Sequence, residues 1–369
     1  MKAKHFLMLI LMGLLIAGGV VAHKAVSRKI AYTSFEKGRE MYSAGDYIAA
    51  SEKFQRAYSS QKETNLGRDS LIYYARCLTK LNKPEAFDAW RKVEQLGNIE
   101  DRKAEVLYNL GLFAFESGDL NAAENYFSEV LRKYSSDVFA GSSSYFAGLI
   151  ELEQGYPAAA KERFIDVVRN YPNSDFAESA QEKFGDANVL IIFSEKDNPF
   201  AENYIVENGD SLSRIANRYN TTVDLIKNIN KLDTGLIRVG QSLKVPKVTF
   251  SISIDKSQNK LMLLADSKMF KIYTVGTGME NSTPTGKFNI INKIENPPWK
   301  GIPPEDPRNI LGSRWMGFNE PYKSYGIHGT TEPETIGYQS SAGCVRMYNH
   351  DVEEIFKIIP VGTEVTIVD

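Results

Sequence analysis

The sequence predicts a multidomain chain: an α-helical repeat solenoid, then a small βααβ module, then a mostly-β domain. Three observations carry this. A Gly-Asp-Ala pattern at helical spacing returns at a near-constant period through the first half. A short run then holds two strand signatures with two helical ones between them. From Val248 the apolar period changes to two.

At 369 residues the chain is long enough for two or three domains. Lys and Arg number 44 and Asp and Glu 46, so the net charge of −2 offers no basic excess for gripping nucleic acid. Two cysteines, Cys77 and Cys344, are too few for a disulfide framework and fall in segments that read as different domains. Cys77 lies in the helical stretch Tyr73-Tyr74-Ala75-Arg76-Cys77-Leu78 and reads as core packing.

Lys2 and Lys4 precede an uncharged apolar run from Phe6 to Ala22, long enough to span a thin bilayer. Residues 1–29 are therefore read as a membrane anchor or signal segment, uncleaved, with Val20-Val21-Ala22 as the alternative cleavage site. No cysteine follows the run, which excludes a lipoprotein anchor. Lys24, Arg28 and Lys29 balance Lys2 and Lys4, so the flanks specify orientation only weakly.

Residues 30–193 read as paired helices. Ala44-Gly45-Asp46 leads to Phe54, Ser117-Gly118-Asp119 to Phe127, and Gln154-Gly155-Tyr156 to Phe164. A degenerate copy runs from Leu81-Asn82 to Trp90. The glycine-equivalent positions 45, 81, 118 and 155 are spaced 36, 37 and 37 residues apart, the mark of a helical solenoid. Gly-Asp breaks the chain between helices, small alanines let them approach, and the aromatic fills the gap. The region resembles tetratricopeptide repeats, which implies a protein partner on a concave face; a plain spacer is the alternative.

Residues 194–202 are charged and turn-rich and read as a linker. In 203–247, Tyr204-Ile205-Val206 is a strand, and Asn208-Gly209-Asp210-Ser211 turns into a helix bearing Leu212, Ile215 and Ala216. Thr221-Thr222 opens a second helix, and Gly240-Gln241-Ser242-Leu243-Lys244-Val245-Pro246 closes with a strand. The segments from Tyr204 to Leu212 and from Gly240 to Pro246 resemble a LysM domain. That implies binding to glycan strands of peptidoglycan or chitin. The implied groove lies between Gly209, Asp210, Ser211 and Leu212 on one side and Asn230 and Leu232 on the other. Asp210 and Ser211 equally suit helix capping.

In 248–369, Phe250, Ile252 and Ile254 alternate with polar residues, and hairpins follow through Leu261, Leu263, Phe270 and Ile272. A late helix presents Val352, Ile355, Phe356 and Ile359 on one face, with Asn349 or His350 as its cap.

Two segments carry chemistry: Tyr325-Gly326-Ile327-His328-Gly329-Thr330 and Ser340-Ser341-Ala342-Gly343-Cys344-Val345-Arg346-Met347. With Ile327, Val345 and Met347 turned to the core, strand alternation turns His328, Cys344 and Arg346 to one cleft. An imidazole beside a thiol activates it as a nucleophile. A guanidinium favours the thiolate and fits a substrate carboxylate. Gly343 lets backbone approach a carbonyl, so amides around Ala342 to Cys344 are candidates for an oxyanion hole. Gly343, Gly329, Ser341 and Arg346 are thus the candidate oxyanion or substrate-binding residues, beside Cys344 and His328 as catalytic ones. Cys344, His328 and His350 match no metal-ligand spacing, so no metal or cofactor is expected. Trp299 and Trp315 read as core or cleft wall.

His-Gly-Thr followed, 16 residues from the histidine, by the cysteine of Ser-x-Gly-Cys-Val-Arg-Met resembles the YkuD-type L,D-transpeptidases. Thr283-Pro284-Thr285-Gly286 and Leu311-Gly312-Ser313-Arg314-Trp315-Met316 extend the resemblance. It implies a mostly-β catalytic domain, His328 as base, Cys344 as nucleophile, and a main-chain carbonyl near Gly329 orienting the imidazole. The implied reaction attacks tetrapeptide stems of peptidoglycan in the cell envelope, releases D-Ala and passes the acyl group to an amine. An L,D-carboxypeptidase, with water as acceptor, and a non-catalytic wall-binding scaffold are the alternatives.

Overall fold

The computed structural model describes the backbone of residues 2–369 except Asp197, and side chains from His23 onward. The side chains of the expected anchor, Phe6 to Ala22, lie outside the described residues. Among the described residues, no helix is long and apolar enough to cross a membrane. Two compact units are present, residues 1–150 and 151–369.

The first unit is helical: α1 (Lys2–Ser43), α2 (Tyr47–Ser60), α3 (Asn65–Lys80), α4 (Glu85–Glu94), α5 (Lys103–Glu116), α6 (Leu120–Lys133) and α7 (Phe139–Glu153), whose last turn enters the second unit. The repeat follows from local chemistry. Gly45 and Gly118 take φ near +81° and +82°, a conformation that costs glycine little. Asp46 and Asp119 then cap the next helix, accepting from the amides of Ala49 and Ala122 at 3.0 Å. Ala50 and Phe54, and Ala123 and Phe127, are fully buried behind them. The degenerate copy corrects the sequence reading. Leu81 ends α3 with an ordinary backbone, and Asn82 takes the left-handed conformation at φ 51°. Asparagine tolerates that region, so the turn survives without glycine. Cys77 is fully buried beside Ala50 and Phe54, and burial pushes its thiol up to about 12.

The second unit opens with α8 (Pro157–Asn170) and α9 (Ala177–Ile192). Next come β1 (Ala201–Ile205), α10 (Leu212–Arg218), α11 (Val223–Ile229) and β2 (Ser242–Pro246), with β1 and β2 antiparallel. Ser211 and Thr222 cap the two helices through the amides of Arg214 and Leu225. The remaining strands are β3 (Phe250–Asp255), β4 (Lys260–Ala265), β5 (Lys268–Thr274), β6 (Thr277–Gly278), β7 (Gly286–Glu295), β8 (Arg314–Phe318), β9 (Gly326–His328), β10 (Gln339–Ser341) and β11 (Val345–Arg346). Helix α12 (Asn349–Ile358) and β12 (Glu364–Val368) end the chain. Eight strands form one sheet in the order β11-β9-β8-β7-β12-β3-β4-β5, and β6 pairs with β10 beside it.

One core joins elements that the sequence assigns to three domains. Val189 and Ile192 of α9, and Leu225 and Ile229 of α11, are buried with Phe250, Phe270, Ile355 and Phe356. Burying one such side chain stabilises by about 1.5–3 kcal/mol. The Asn188 amide donates to the Phe270 carbonyl at 2.8 Å, and Lys271 pairs with Asp186 and Glu354 at 3.1 and 2.8 Å. The Thr222 hydroxyl donates to the Lys357 carbonyl. The expected linker is also altered. Asn198 is buried and donates to the carbonyls of Ile192 and Ser194, Phe200 packs on the core, and β1 already begins at Ala201. Segment 194–202 is therefore a packed connection.

Candidate active site

Strand β11 pairs in parallel with β9, setting Val345 opposite Ile327 and Arg346 opposite His328. Ile327, Val345 and Met347 are fully buried in the core, so alternation turns His328, Cys344 and Arg346 to the other face. This register sets Cys344 beside Gly326. The thiol is half-buried, 4.0 Å from the Ser324 carbonyl oxygen.

The cysteine turn is braced from within. Ser341 Oγ accepts from the Gly343 amide at 3.0 Å and donates to the Cys344 carbonyl at 2.6 Å. The amide of Gly343 is thus engaged internally, which narrows the expected oxyanion donors. Gly343 itself has φ 121°, and a Cβ there would collide with the Tyr325 ring. Only glycine lets the turn lie against that ring.

His328 is 2% exposed. Its Nδ1 lies 2.6 Å from the Gly329 carbonyl oxygen. A carbonyl only accepts, so Nδ1 carries the proton and the neutral ring keeps its lone pair on Nε2. Trp315 pairs with His328 across β8 and β9 and stacks on it, centroids 5.8 Å apart and planes at 23°. Trp315 is thus cleft wall. Burial lowers the His328 pKa to about 4; the nearby Arg346 charge pushes the same way, while the carbonyls of Gly329 and Leu311 resist. Burial likewise raises the Cys344 thiol, opposed by the Gly326 backbone and Arg346. Both shifts favour the neutral forms of the two groups.

Arg346 is not a free fork. It is 7% exposed, and its Nη1 donates to Glu332 at 2.9 Å and Thr335 at 3.3 Å. A substrate carboxylate would compete with Glu332 for that face. Sequence reading missed Glu332, which no spacing rule links to the motif. It also missed Asn349. That side chain does not cap α12, because the helix has Tyr348 as its N-cap without a side-chain bond. Instead Asn349 Oδ1 accepts from the amides of Ser313 and Thr330 at 3.2 and 3.1 Å, and Nδ2 donates to the Thr330 carbonyl at 2.9 Å. It pins the His-Gly-Thr turn to the Leu311-Gly312-Ser313 turn. His350 stands apart, exposed and stacked on Tyr348 at 5.5 Å.

The second expected site lies in 201–246. Gly209 and Ser211 are exposed there, with Gly209 at φ 84°. Asp210 accepts from the Tyr204 hydroxyl at 2.6 Å and the Glu207 amide at 2.8 Å, and pairs with Arg218 at 3.5 Å. Asn230 donates to the carbonyls of Ile226 and Lys244 and accepts from the Lys244 amide at 2.7 Å, tying α11 to β2. Leu212 is buried and Leu232 packs beside it. Five of the six expected glycan contacts therefore have side chains engaged inside the module, Ser211 through its cap to the Arg214 amide.

Comparison with known proteins matches three families. Residues 249–367 match the YkuD L,D-transpeptidase catalytic domain, 204–246 the LysM domain, and 105–137 the tetratricopeptide repeat. Among curated proteins, the chain is similar to YqjB of Bacillus subtilis, designated an L,D-transpeptidase, with 41% identity over 32% of this chain and 70% of the relative. It is similar to YkuD of the same organism, with the same designation, at 36% identity over 44% of this chain and 97% of the relative. Among solved structures, L,D-transpeptidase 3 of Mycobacterium tuberculosis with a faropenem-derived adduct aligns at 16% identity and a TM-score of 0.29. That alignment covers 36% of this chain and 66% of the other, too slight to carry an inference.

Proposed function

This chain belongs to the YkuD-type L,D-transpeptidase family, and on that premise we propose that it remodels peptidoglycan through an acyl-enzyme on Cys344. The observation that carries this reading is the pairing of β11 with β9, which sets the thiol of Cys344, immediately ahead of β11, and the Gly329-oriented imidazole of β9 on one face. The Cys344 sulfur attacks the carbonyl of the L-centre of meso-diaminopimelate in a tetrapeptide stem, and its proton passes to His328 Nε2. The C–N bond to D-Ala breaks, and that proton leaves with the amine. An acceptor amine then attacks the thioester, loses a proton to His328, and displaces the thiol. With a raised thiol and a lowered imidazole, prior ion-pair formation is uphill, so proton transfer accompanies bond formation. No cofactor is needed.

Incubating the protein with purified muropeptides and analysing the products by mass tests this. Cross-linked dimers support it. Trimmed tripeptides alone make water the acceptor, and unchanged stems remove the enzymatic reading. The remaining modules fit the same setting. The LysM region holds glycan strands, with Gly209, Ser211 and main-chain groups as contacts. The helical repeats take a protein partner, and the apolar segment from Phe6 to Ala22 anchors the chain with its bulk outside the cytoplasm.

A further inference from the structure

Beyond the apolar run, α1 carries a basic face. Lys24, Arg28 and Tyr32 recur every four residues along it, and Lys29 lies beside them. With Ala25 and Leu66 these residues line a concavity of about 620 Å³. A second concavity, about 290 Å³, continues the charge with Lys29, Lys37, Lys53 and Arg56. No acidic residue lines either one, and none of the six cations is in an ion pair among the described residues. Tyr32 is 61% exposed. The fold closes the site by bringing the end of α2 back to α1. Ser27 Oγ donates to the Ser60 carbonyl at 2.8 Å, and the Gln61 amide donates to Ser27 Oγ at 3.1 Å, which sets the α2–α3 turn, and Leu66 after it, level with Arg28.

We propose that this concavity binds the headgroup of an anionic phospholipid; the proposal rests on the reading that the preceding segment is a membrane anchor. At about 1.5 Å per helical residue, Lys24, Arg28 and Lys29 lie roughly 3–11 Å past Ala22. That is the depth of the headgroup layer and within about one Debye length of its charge. Side chains on a helix lean toward its N-terminus, here toward the bilayer, so the cations reach back to the phosphates. Tyr32 and Leu66 supply apolar contact with a polar tip, as at membrane interfaces. The charge on Lys37, Lys53 and Arg56 lies further out and adds field rather than contact.

The test uses the full chain, purified in mild detergent and titrated with phosphatidylglycerol or phosphatidylcholine, with bound lipids counted by native mass spectrometry. Phosphatidylglycerol should be retained in preference. The triple variant Lys24→Gln/Arg28→Gln/Lys29→Gln should lose that retention by about a hundredfold, from the usual contribution of three basic residues at a charged surface. The matched variant Lys80→Gln/Lys83→Gln/Lys92→Gln should bind as wild type, with both helical by circular dichroism. Equal retention of the two lipids, equal loss in both variants, or displacement by millimolar inorganic phosphate would overturn the proposal. Full chain that stays aqueous when mixed with phosphatidylcholine vesicles removes the anchor reading, and this one with it. Chain that inserts there without preferring phosphatidylglycerol removes this one alone.

Discussion

The turn at Gly209–Leu212 and the turn at Ser341–Arg346 each combine a positive-φ glycine with a serine, yet their side chains serve different ends. In the first, Asp210 has three partners and Leu212 is core, and Asn230 across the groove is equally engaged. Those side chains hold the backbone in shape. In the second, Ser341 does the bracing, while the Cys344 thiol makes only a long 4.0 Å contact to the Ser324 carbonyl and stays available. A motif residue with every polar atom satisfied internally is building a surface; a reactive group left loosely held is the chemistry.

The largest test of that contrast is at the two thiols. Cys344→Ala should abolish product and leave the melting temperature nearly unchanged, while Cys77→Ala should keep activity and cost about 1–2 kcal/mol from the small cavity. Carbapenem treatment should give a mass adduct on wild type and none on Cys344→Ala. Turnover surviving in Cys344→Ala sinks the assignment.

Next is the shared core. Deleting 203–246 removes Leu225 and Ile229 from beside Ile355 and Phe356, at about 3–6 kcal/mol of lost burial. Activity should fall on soluble stem peptides as well as on sacculi, with earlier urea unfolding. Loss confined to sacculi would mean that the module acts only by tethering.

His328→Gln should slow acylation about 10²–10⁴-fold. In wild type, the acidic limb of kcat/KM should fall near pH 4, since the buried imidazole protonates only there. The same depression bears on stability. Between about pH 6.5 and 4 the unfolded chain binds a proton that the folded one refuses, so this contribution is full above pH 6.5 and lost as pH falls toward 4. A limb at pH 6.5 would mean that the imidazole is hydrated.

Smaller effects separate shaping residues from acting ones. Asn349→Ala removes three hydrogen bonds from the His-Gly-Thr turn. It should cut kcat about 10–100-fold with little change in KM, and cost about 2–3 kcal/mol. Asn230→Ala should cost a similar amount in stability while leaving kcat on soluble stems within about twofold. Glycan affinity lost in Asn230→Ala at unchanged stability would break the contrast and restore Asn230 as a sugar contact.

Much of the helical repeat was legible because its signals are local. Gly45, Asp46, Phe54 and their later copies act within one turn and one helix pair. Asn82 was misread by one position because asparagine imitates glycine only in the folded backbone. The faces of Ile327, Val345 and Met347 followed from alternation. Asn349, Glu332, Asp210 and Asn230 were illegible in their roles, since each has a partner on another element, Ser313, Arg346, Tyr204 and Lys244 respectively, which leaves no periodic trace. Segment 194–202 hides its packing in a similar way: Asn198 is a single buried residue, and Phe200 a half-buried one, in a charged run.

The docking of α9 against β5 also bears on how the sheet is made. A bare outer strand with free amides and carbonyls invites pairing with a second chain. Here one border of the sheet is covered by α9, and the other, β11, is only two residues long. Because α9 precedes every strand of the sheet in the chain, it emerges first from the ribosome. The cover is thus in hand before β5 needs it, and the nascent sheet closes on its own helix rather than on a neighbouring polypeptide.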